Sequence, residues 1–576
     1  MKTNIISLML FSIALMMCIP SNTSAQDFQV GGIAYNILSE ADHTVEVCQK
    51  TYIYQGNISI PPTVNHGGVT YDVVALGSYA FSNASISNIT IPTSVTQIKS
   101  NCFLQASLPS SINIPASVTE IGILAFAGQG LAIINVNSAN PAYCSIDGVL
   151  FSKDTTTLVS CPSMRRDTIQ LPQATTHIAP YAFIYCDNLA HIVLHEGIVS
   201  IGNGAFTRVI QLNNITIPST VSQLGFNIFA GCTSLTNIVI AEGNSHYYID
   251  NKMIYSSGGD TLFSCHQSAD SLFLPNTLRV VGGFYINSDI RYVHVPEGVT
   301  TIVADAFNSS TLESIDLPDQ MDLIDESAFV YCSNLVRVAM PSSLGQLGRD
   351  CFVMCSSLPS IVLPNNMRVV PFQAFAGCFE LEEVIWGDSI EVIDSLAFTY
   401  SSITHLTFPP TLRVIRSEAF TASFDQTEKL KVVFTALVDT LEDKIFTDYR
   451  ISSFRLMNEV PPVTIGAGCL NLSVVDTIIV PCGTKSVYQN DPYWGQYDCY
   501  VEDCDGVATA DSDNLVVTVN ERVITVQGIS DQPMCVYDLL GRTIANTTSS
   551  QQIRVPTKGI YLVRVGDYPI KKIAVF

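Results

Sequence analysis

Charged residues are scarce in this chain, and basic residues are scarcer than acidic ones. Asp, Glu, Lys and Arg make up 14% of its 576 residues, and 28 basic residues against 51 acidic ones give a net charge of -23. A strongly negative protein repels nucleic-acid phosphates and anionic lipid surfaces. We therefore expect neither nucleic acid nor a membrane surface as a partner. The 47% of hydrophobic residues predict a chain that buries a core and folds.

Catalytic motifs are also missing. The sequence contains no H-E-x-x-H, no G-x-S-x-G, no phosphate-binding glycine loop and no C-x-x-C pair, each of which carries a particular chemistry. The nine histidines are scattered, and no acidic cluster has the spacing of an EF-hand calcium loop. Acidic pairs such as Glu382–Glu383 are typical of solvated loops. We predict that the protein is not an enzyme and has no catalytic residue, no metal site and no cofactor.

Long apolar runs are confined to the amino terminus. Lys2 precedes an apolar run over residues 5–19, and the small residues Ser24 and Ala25 follow it, which is the pattern of a cleaved secretory signal peptide. After Ala25 no uninterrupted apolar stretch reaches the roughly 18 residues that a bilayer requires. We predict a signal peptide over residues 1–25 and a mature chain that is exported, without a membrane span, to the cell surface or the extracellular space.

What the sequence does contain is a 23-residue repeat. Its working consensus is L-x-x-I-x-I-P, then about five residues, then V-x-x-I-x-x-x-A-F-x-x-C. A fixed period in this range is the signature of a solenoid, in which each coil covers the apolar faces of its neighbours. The phenylalanines that mark the period are Phe183, Phe206 and Phe229, and again Phe329, Phe352, Phe375 and Phe398.

The first half of the repeat predicts a β-strand. Its apolar residues alternate, so that Ile238 and Ile240 point to one side of the strand and Val239 to the other. The proline that follows has no N–H to donate and ends the strand. Stacked copies then predict a parallel sheet over a core of phenylalanines, in a β-rich solenoid.

The ends of the repeat array predict caps. Short alternating segments precede the first Ala-Phe pair at Ala80–Phe81 and predict an amino-terminal β cap over residues 26–75. The repeats occupy residues 76–460. Beyond them an aromatic cluster predicts a carboxy-terminal cap over residues 461–506, with Tyr488, Tyr493 and Trp494 sealing the open end.

Two departures from the period predict inserts. The intervals from Phe126 to Phe183 and from Phe229 to Ile286 each measure 57 residues, which is 34 more than one period. Both contain similar phrases, I-D-G-V-L-F and I-D-N-K-M-I-Y, followed by turn residues. We interpret them as β-hairpins near residues 140–172 and 245–275, with turns at 153–154 and 258–259. A structural role is favoured over a binding role.

The cysteines follow the repeat. Their position three residues after the core phenylalanine predicts buried free thiols rather than metal ligands, and the parallel side chains of adjacent coils disfavour disulfide geometry. Near the carboxy-terminal cap a bridge between two of Cys482, Cys499 and Cys504 is plausible. The regularly placed cysteines are Cys186, Cys232, Cys332, Cys355 and Cys378.

The repeats resemble the bacterial leucine-rich repeats of the BspA type over roughly residues 28–505. The phrases C-T-S-L-T-N-I-V-I (232–240) and I-P-S-T-V-S-Q-L-G-F-N-I-F (217–229) are typical of that family, and the inserted I-D-G-V-L-F and the cap's V-P-C-G-T-K also resemble it. The resemblance implies a non-enzymatic surface protein of adhesion or interaction, some members binding host matrix proteins or other bacteria. The resemblance does not indicate which ligand this chain binds.

The last segment differs from the repeats. After a polar linker near residues 507–513 come V-Y-D-L-L-G-R (536–542), P-T-K-G-I-Y-L-V-R-V (556–565) and K-K-I-A-V-F (571–576). Together they resemble the C-terminal sorting domain of type IX secretion. That resemblance implies a small β-sandwich over residues 507–576 that the secretion machinery recognises and then removes or uses as an anchor. An ordinary immunoglobulin-like module is the alternative.

A candidate binding site follows from the middle residue of each I-x-I. In successive copies Ala339, Val362 and Ile385 make an apolar run, and Trp386 stands beside it where other copies have proline. Exposed apolar patches mark interaction surfaces, although β-branched residues suit any strand. We hypothesise that these four residues bind a protein partner at a host or bacterial surface.

Three functions remain open at this stage. The first is adhesion or protein-protein interaction, the second a passive structural component of the cell surface, and the third a carbohydrate-binding accessory. Sugar binding commonly uses aromatic platforms, and the chain has only two tryptophans, one of them in the predicted cap. The first function is therefore preferred.

Overall fold

The computed structural model describes most of the chain beyond residue 25. The predicted signal peptide (1–25), Ile286 and the polar linker (507–513) lie outside the described residues. The described ranges are 26–50, 52–166, 168–266, 269–284, 290–422, 428–466, 468–470, 473–504, 516–520, 523–527, 534–538, 543–547, 552–555, 559–565 and 571–575.

The chain divides into two compact units, Met1–Gln267 with Val281–Ser288, and Ser268–Val280 with Asp289–Phe576. The strands of the first unit are β1 (Phe28–Val30), β2 (Ile33–Ser39), β3 (Thr44–Cys48), β4 (Gln55–Ser59), β5 (Thr63–His66), β6 (Val69–Leu76), β7 (Ser85–Thr90), β8 (Gln97–Ile98), β9 (Ser111–Ile114), β10 (Glu120–Ile121), β11 (Ile133–Val136), β12 (Tyr143–Ile146), β13 (Val149–Ser152), β14 (Thr157–Ser160), β15 (Ile169–Gln170), β16 (His177–Ile178), β17 (Ile192–Val193), β18 (Ser200–Ile201), β19 (Asn214–Ile217), β20 (Gln223–Leu224), β21 (Asn237–Ile240), β22 (Tyr247–Asp250), β23 (Met253–Ser256) and β24 (Thr261–Cys265).

The second unit contains further repeats and a different carboxy-terminal segment. The point of division falls within β26 (Val280–Val281). The repeat strands of this unit are β25 (Ser271–Phe273), β27 (Tyr292–His294), β28 (Thr301–Ile302), β29 (Ser314–Asp316), β30 (Leu323–Ile324), β31 (Arg337–Ala339), β32 (Gln346–Leu347), β33 (Ser360–Val362), β34 (Val369–Val370), β35 (Glu383–Ile385), β36 (Val392–Ile393), β37 (His405–Phe408), β38 (Val414–Ile415), β39 (Leu430–Phe434), β40 (Thr440–Leu441), β41 (Arg450–Arg455), β42 (Val463–Thr464), β43 (Val474–Val475), β44 (Ile478–Pro481) and β45 (Tyr500–Asp503).

Each full repeat contributes two parallel strands to the solenoid. The longer one precedes the proline and pairs with the same position of the next coil, as Ile215 does with Ile238. The shorter one lies in the V-x-x-I part, where Ile201 pairs with Leu224. Only the first was predicted, because two residues are too few to show a period of two. The solenoid predicted from the 23-residue repeat is confirmed.

The phenylalanines form a stacked column in the core. Phe352 is fully buried and lies between the rings of Phe329 and Phe375, at centroid distances of 5.0 and 5.3 Å and with both interplanar angles 2°. The backbone N–H of each of these residues donates to the next coil, as that of Phe329 does to the carbonyl of Cys351 at 2.9 Å. The column therefore combines apolar burial with a backbone ladder.

The turns that flank each phenylalanine use left-handed backbone. Around Phe329, the residues two before and two after it, Ser327 and Tyr331, have φ of 57° and 61°, and Asp350 and Met354 repeat the pattern around Phe352. Non-glycine residues adopt this conformation only at a cost, so a repeated pair of them shows that the coil geometry overrides local preference. The sequence pattern did not indicate it.

The five cysteines that lie three residues after a core phenylalanine are buried free thiols, as predicted. All five are reduced and at most 1% exposed. The thiol of Cys355 donates to the carbonyl of Phe329 at 3.2 Å, and that of Cys378 to the carbonyl of Phe352 at 3.2 Å. The thiol at this position therefore donates a hydrogen bond to a backbone carbonyl group of the preceding coil.

The inserts are three-stranded rather than two-stranded. Strands β13 and β14 flank the turn after Ser152, as predicted, but β12 also pairs antiparallel with β13, and β22, β23 and β24 repeat this arrangement. Asn140 donates to the carbonyls of Pro115 and Val118 at 2.9 and 2.8 Å. Asn244 makes the equivalent bonds in the second insert. These matching contacts tie each insert to the coil before it and favour the structural interpretation.

The end of the array is closed by aromatic residues. Helix α1 (Lys485–Gln489) and a 3₁₀ turn (Trp494–Gln496) carry Tyr488 and Trp494, both 0% exposed. The hydroxyl of Tyr488 donates to the carbonyl of Asn458 at 2.9 Å. A disulfide joins Cys482 to Cys504, and Cys499 is free.

The last segment, called here the C-terminal module, forms two antiparallel sheets. One has the order β46-β47-β50 and the other β49-β48-β51-β52. Its strands are β46 (Val516–Asn520), β47 (Val523–Gln527), β48 (Met534–Asp538), β49 (Thr543–Thr547), β50 (Gln552–Arg554), β51 (Gly559–Val565) and β52 (Lys571–Val575).

Candidate interaction surface

Each longer repeat strand of the second unit directs the residue after its middle position away from the core, and β35 also directs Glu383 to that side. In β25, β27, β29 and β31 the middle residue is almost fully buried, and the next residue points outward, as Val293 and His294 illustrate. This alternation is the two-sided geometry of a strand. We call the outward side chains the strand face: Phe273, His294, Asp316, Ala339, Val362, Glu383 and Ile385.

An exposed aromatic pair begins the strand face. Phe273 is 72% exposed, and its ring stacks on that of His294 at 4.1 Å with an interplanar angle of 9°. Phe273 was not predicted as an outward residue, because it falls within the range 245–275 that was assigned to the second insert. The structure ends the strands of that insert with β24 at Cys265, and β25 already pairs with a repeat strand. Its phrase S-L-F-L-P nevertheless fits the strand-then-proline pattern.

Ion pairs flank this aromatic pair. Arg337 donates to Asp316 at 2.7 Å, and Arg291 donates two hydrogen bonds to Glu313 at 2.6 and 2.7 Å. The hydroxyl of Tyr292 also donates to Glu313, at 3.1 Å. The hydrogen bonds from Arg291 lower the pKa of Glu313, and the bond to Glu313 raises the pKa of Tyr292. This part of the surface is charged, with both signs present.

The predicted apolar run is present on the strand face, but it is covered. Ala339 and Val362 are half-buried, and Ile385 is only 4% exposed. Val362 and Ile385 are register partners on β33 and β35. Their side chains pack against Cys535 and Tyr537 of the C-terminal module.

Trp386 lies on the other side of its strand. Its ring makes edge and tilted contacts with Phe398 at 5.6 Å and with Phe408 at 5.5 Å. Both phenylalanines are buried. The structure therefore brings Val362 and Ile385 together and places Trp386 against the core beneath them, in the position that proline holds in other copies.

Glu383 links the strand face to the C-terminal module by charge. Its Oε1 accepts a hydrogen bond from the Tyr537 hydroxyl at 2.9 Å and one from Arg564 at 2.7 Å. Burial, and then the negative charge of Glu383, raise the pKa of Tyr537. The expectation that the pair Glu382–Glu383 lies on a solvated loop is wrong for Glu383, since strand and module enclose it.

The described residues contain one close group of potential metal ligands and no membrane-crossing helix. One group of potential metal ligands lies close together in these ranges, namely Cys482, Glu502 and Cys504, and its two thiols form the disulfide. Across the same ranges no helix is both long and apolar enough to cross a bilayer.

The stacked coils and their outward strand face define a leucine-rich repeat protein, a class that is generally protein-binding and typically non-enzymatic. More specifically, the chain belongs to the BspA-type leucine-rich repeat family. The family model described as "BspA type Leucine rich repeat region (6 copies)" matches residues 68–157, 159–260, 256–378 and 369–490. A search of curated proteins finds no match to the chain.

Several solved bacterial structures are similar to this chain. A leucine rich cell surface protein from Faecalibacterium prausnitzii is 24% identical, and the match covers 62% of this chain and 94% of that one, with a TM-score of 0.37. A leucine-rich repeat protein from Bacteroides ovatus is 22% identical, covering 83% and 99%, with a TM-score of 0.35. The pneumococcal vaccine antigen PcpA is 18% identical, covering 71% and 98%, with a TM-score of 0.34. At these TM-scores the individual likenesses carry no further conclusion.

Proposed function

We propose that this protein is exported to the cell surface and binds other proteins there, on host matrix or on other bacteria, through its strand face. The observation that carries the proposal is the exposed Phe273–His294 pair beside charged groups of both signs. Aromatic anchors with a polar rim are typical of protein interfaces. Phe273 is 72% exposed and its ring contacts another ring of the same surface, so the pair offers a partner an aromatic surface rather than a single apolar side chain.

The proposed site extends along the face from Phe273 to the apolar patch of Ala339, Val362 and Ile385. Val362 and Ile385 already pack against side chains of the C-terminal module, which supports a patch of suitable shape for protein contact. Trp386 belongs to the proposal as a support, since its ring fills the space beneath this strand.

A binding assay with the full mature chain tests the proposal. Immobilised host extracellular-matrix proteins and intact bacterial cells serve as separate probes. Phe273→Ala is compared with Val463→Ala, since Val463 is an apolar residue 61% exposed on the short-strand side of the coil. We expect Phe273→Ala to weaken binding by at least about tenfold, as loss of an interface hot spot does. Equal binding by both variants would refute the strand face as the site.

Export and sorting are a second part of the proposal. The amino-terminal pattern predicts a mature chain that begins at Gln26, and the C-terminal module resembles a type IX sorting domain. Deleting K-K-I-A-V-F (571–576) in a host with that secretion system should leave the protein inside the cell envelope. Unchanged surface labelling of the deleted form would favour an ordinary module instead.

The passive structural alternative makes a different forecast. It predicts that neither matrix proteins nor bacterial cells bind the mature chain at all, and that the chain instead assembles with itself at the surface. Sedimentation of the purified chain over a range of concentrations separates the two, because an adhesin need not self-associate.

A further inference from the structure

Strand β48 of the C-terminal module carries apolar or aromatic side chains on both of its faces. Met534 and Val536 are almost fully buried on one side. Cys535 and Tyr537 alternate with them and therefore point to the other side. Arg564 is the antiparallel partner of Cys535, so it shares that second face. A strand that is apolar on both sides is typical of one covered on both faces.

The second face of β48 and its partner β51 meets the strand face at the apolar patch. Ile385 and Tyr537 are both only 4% exposed, and Val362 and Cys535 pack against them. Elsewhere, β-branched residues at the equivalent outward position stay open, with Val193 51% exposed. The burial of Ile385 therefore comes from the module and not from the repeat.

Charge complementarity fixes where the module sits. Glu383 precedes Ile385 by two residues and points to the same side of β35. It accepts from both Tyr537 and Arg564, and the side chains of Glu383 and Arg564 are only 21% and 24% exposed. Charge-assisted hydrogen bonds are stronger and more directional than neutral ones, so Glu383 specifies the docking position.

The connecting chain is long enough for docking within one molecule. The sheet runs from β45 through β44, β41 and β39 to β37, and β35 is the equivalent strand one coil earlier, so five strand spacings of about 4.8 Å give a distance of about 24 Å. Residues 505–515 can span up to about 36 Å when extended. A second copy is therefore not needed to supply the module.

We propose that Val362, Ile385 and Glu383 form the docking site for this chain's own C-terminal module, which covers that part of the strand face and must be displaced before another protein binds there. The docking step stands on the contacts above, and the displacement step rests on the proposed function. The module presents the chemistry that a competing partner must match: an apolar strand with an aromatic hydroxyl and a guanidinium group opposite a carboxylate.

The alkylation rate of Cys535 tests docking in the full chain. Cys535 is a half-buried free thiol under Val362, and Cys499, also free and half-exposed, is an internal reference in the cap. Glu383→Lys places a cation against Arg564 and should raise the maleimide labelling rate of Cys535, relative to Cys499, by about tenfold or more, since a charged hydrogen-bonding site is lost. Glu382→Lys makes the same charge change at an exposed neighbour and should leave the rate unchanged.

A variant in which the charges at positions 383 and 564 are exchanged tells loss of docking apart from misfolding of the variant. The double variant Glu383→Lys with Arg564→Glu restores opposite charges, so slow labelling should return. Equal rates for Glu383→Lys and Glu382→Lys, or no recovery in the double variant, would overturn the docking site. A labelling rate that depends on protein concentration would show that a second copy supplies the module, which overturns docking within one molecule.

Binding measurements on a variant of the module separate docking from function. Immobilised matrix proteins and bacterial cells should bind the single variant Arg564→Glu several-fold more tightly than the unmodified chain, because this change opens the patch and leaves Glu383 in place. Faster labelling with no binding by any form would refute the proposed function and leave docking intact. Faster labelling with unchanged binding through Phe273 would refute the displacement step.

Discussion

Two parts of one strand face behave in opposite ways. Phe273 and Ile385 occupy the same outward position in their strands, yet Phe273 is 72% exposed and Ile385 only 4%. The repeat supplies the same backbone to both. What differs is the C-terminal module, which packs on Ile385. The solenoid repeat therefore determines in which direction a side chain points, whereas a distant segment of the chain determines whether that side chain is exposed to solvent.

The largest expected effect is the loss of stability when a phenylalanine of the core column is truncated, compared with truncation of a phenylalanine on the strand face. Phe352→Ala should lower the free energy of unfolding by about 3 to 5 kcal/mol, because it empties a place in a close-packed column. Phe273→Ala should change it by less than about 0.5 kcal/mol. Urea unfolding followed by circular dichroism measures both, and a similar loss in the two variants would contradict the assignment of Phe273 to an open surface.

The pH dependence of the free energy of unfolding should differ between two carboxyl groups, that of Asp305 in a turn and that of Glu313 beside a repeat strand. Burial raises the pKa of Asp305 to about 6, so its folded form binds a proton more readily than the unfolded chain does. Stability should therefore fall as the pH rises from about 4 to about 6 and remain lower above that. Asp305→Asn, which keeps an acceptor for Asn308, should raise the free energy of unfolding at pH 7 by up to about 3 kcal/mol.

Glu313 provides the control for that titration. The pKa of Glu313 is lowered by its hydrogen bonds from Arg291, so its stabilising effect is present above the ordinary carboxyl pKa and is lost as the pH falls. Glu313→Gln should thus change stability with the opposite sign. A pH profile of Asp305→Asn that matches the unmodified chain would rule out the buried carboxyl as its source.

A smaller loss of stability is expected at Ile385, on the covered part of the strand face. Ile385→Ala should cost about 1 to 2 kcal/mol, less than a core truncation, because the C-terminal module can separate from the patch instead of leaving a closed cavity. Val193→Ala, at the equivalent but exposed position, should cost less than about 0.5 kcal/mol. Differential scanning calorimetry detects both, and equal shifts would mean that the module does not bury Ile385 in solution.

The smallest effect is that of salt. Raising the ionic strength from 0.05 to 0.5 M should increase the labelling rate of Cys535 by about two- to threefold, since the Glu383–Arg564 pair is partly accessible to screening ions. The rate at Cys499 should not change. A salt effect that persists in Glu383→Gln would assign it to other charges.

Much of the fold was predictable from local pattern. The spacing of Phe329, Phe352 and Phe375 specified the column, and the cysteine three residues after each of them specified a buried thiol. The short second strands, the left-handed turns at residues such as Ser327 and the third strand of each insert were not predicted. Each of these depends on backbone hydrogen bonds to another coil, which one copy of the repeat does not reveal.

The placement of the candidate site residues was predicted in part. Val362 and Ile385 do meet on one face, because a period of two and a period of 23 together decide which residues are outward neighbours. Trp386 does not join them, since adjacent residues of a strand point to opposite sides. Phe273 was not predicted because it lies within the range 245–275 that was assigned to the second insert. Glu383 was predicted to lie on a solvated loop because its hydrogen-bond partners are more than 150 residues away in the sequence.

By itself the sequence determined that this chain is a repeat solenoid with a phenylalanine core, and which residues of each coil face outward. Those features arise from neighbours at a fixed spacing, and the pattern repeats them many times. Only the tertiary structure decided that Ile385 is covered and Phe273 open. The reason is physical: Tyr537 and Arg564 belong to a segment outside the repeats and contact Glu383 across more than 150 residues of sequence, so the repeat pattern does not reveal this contact.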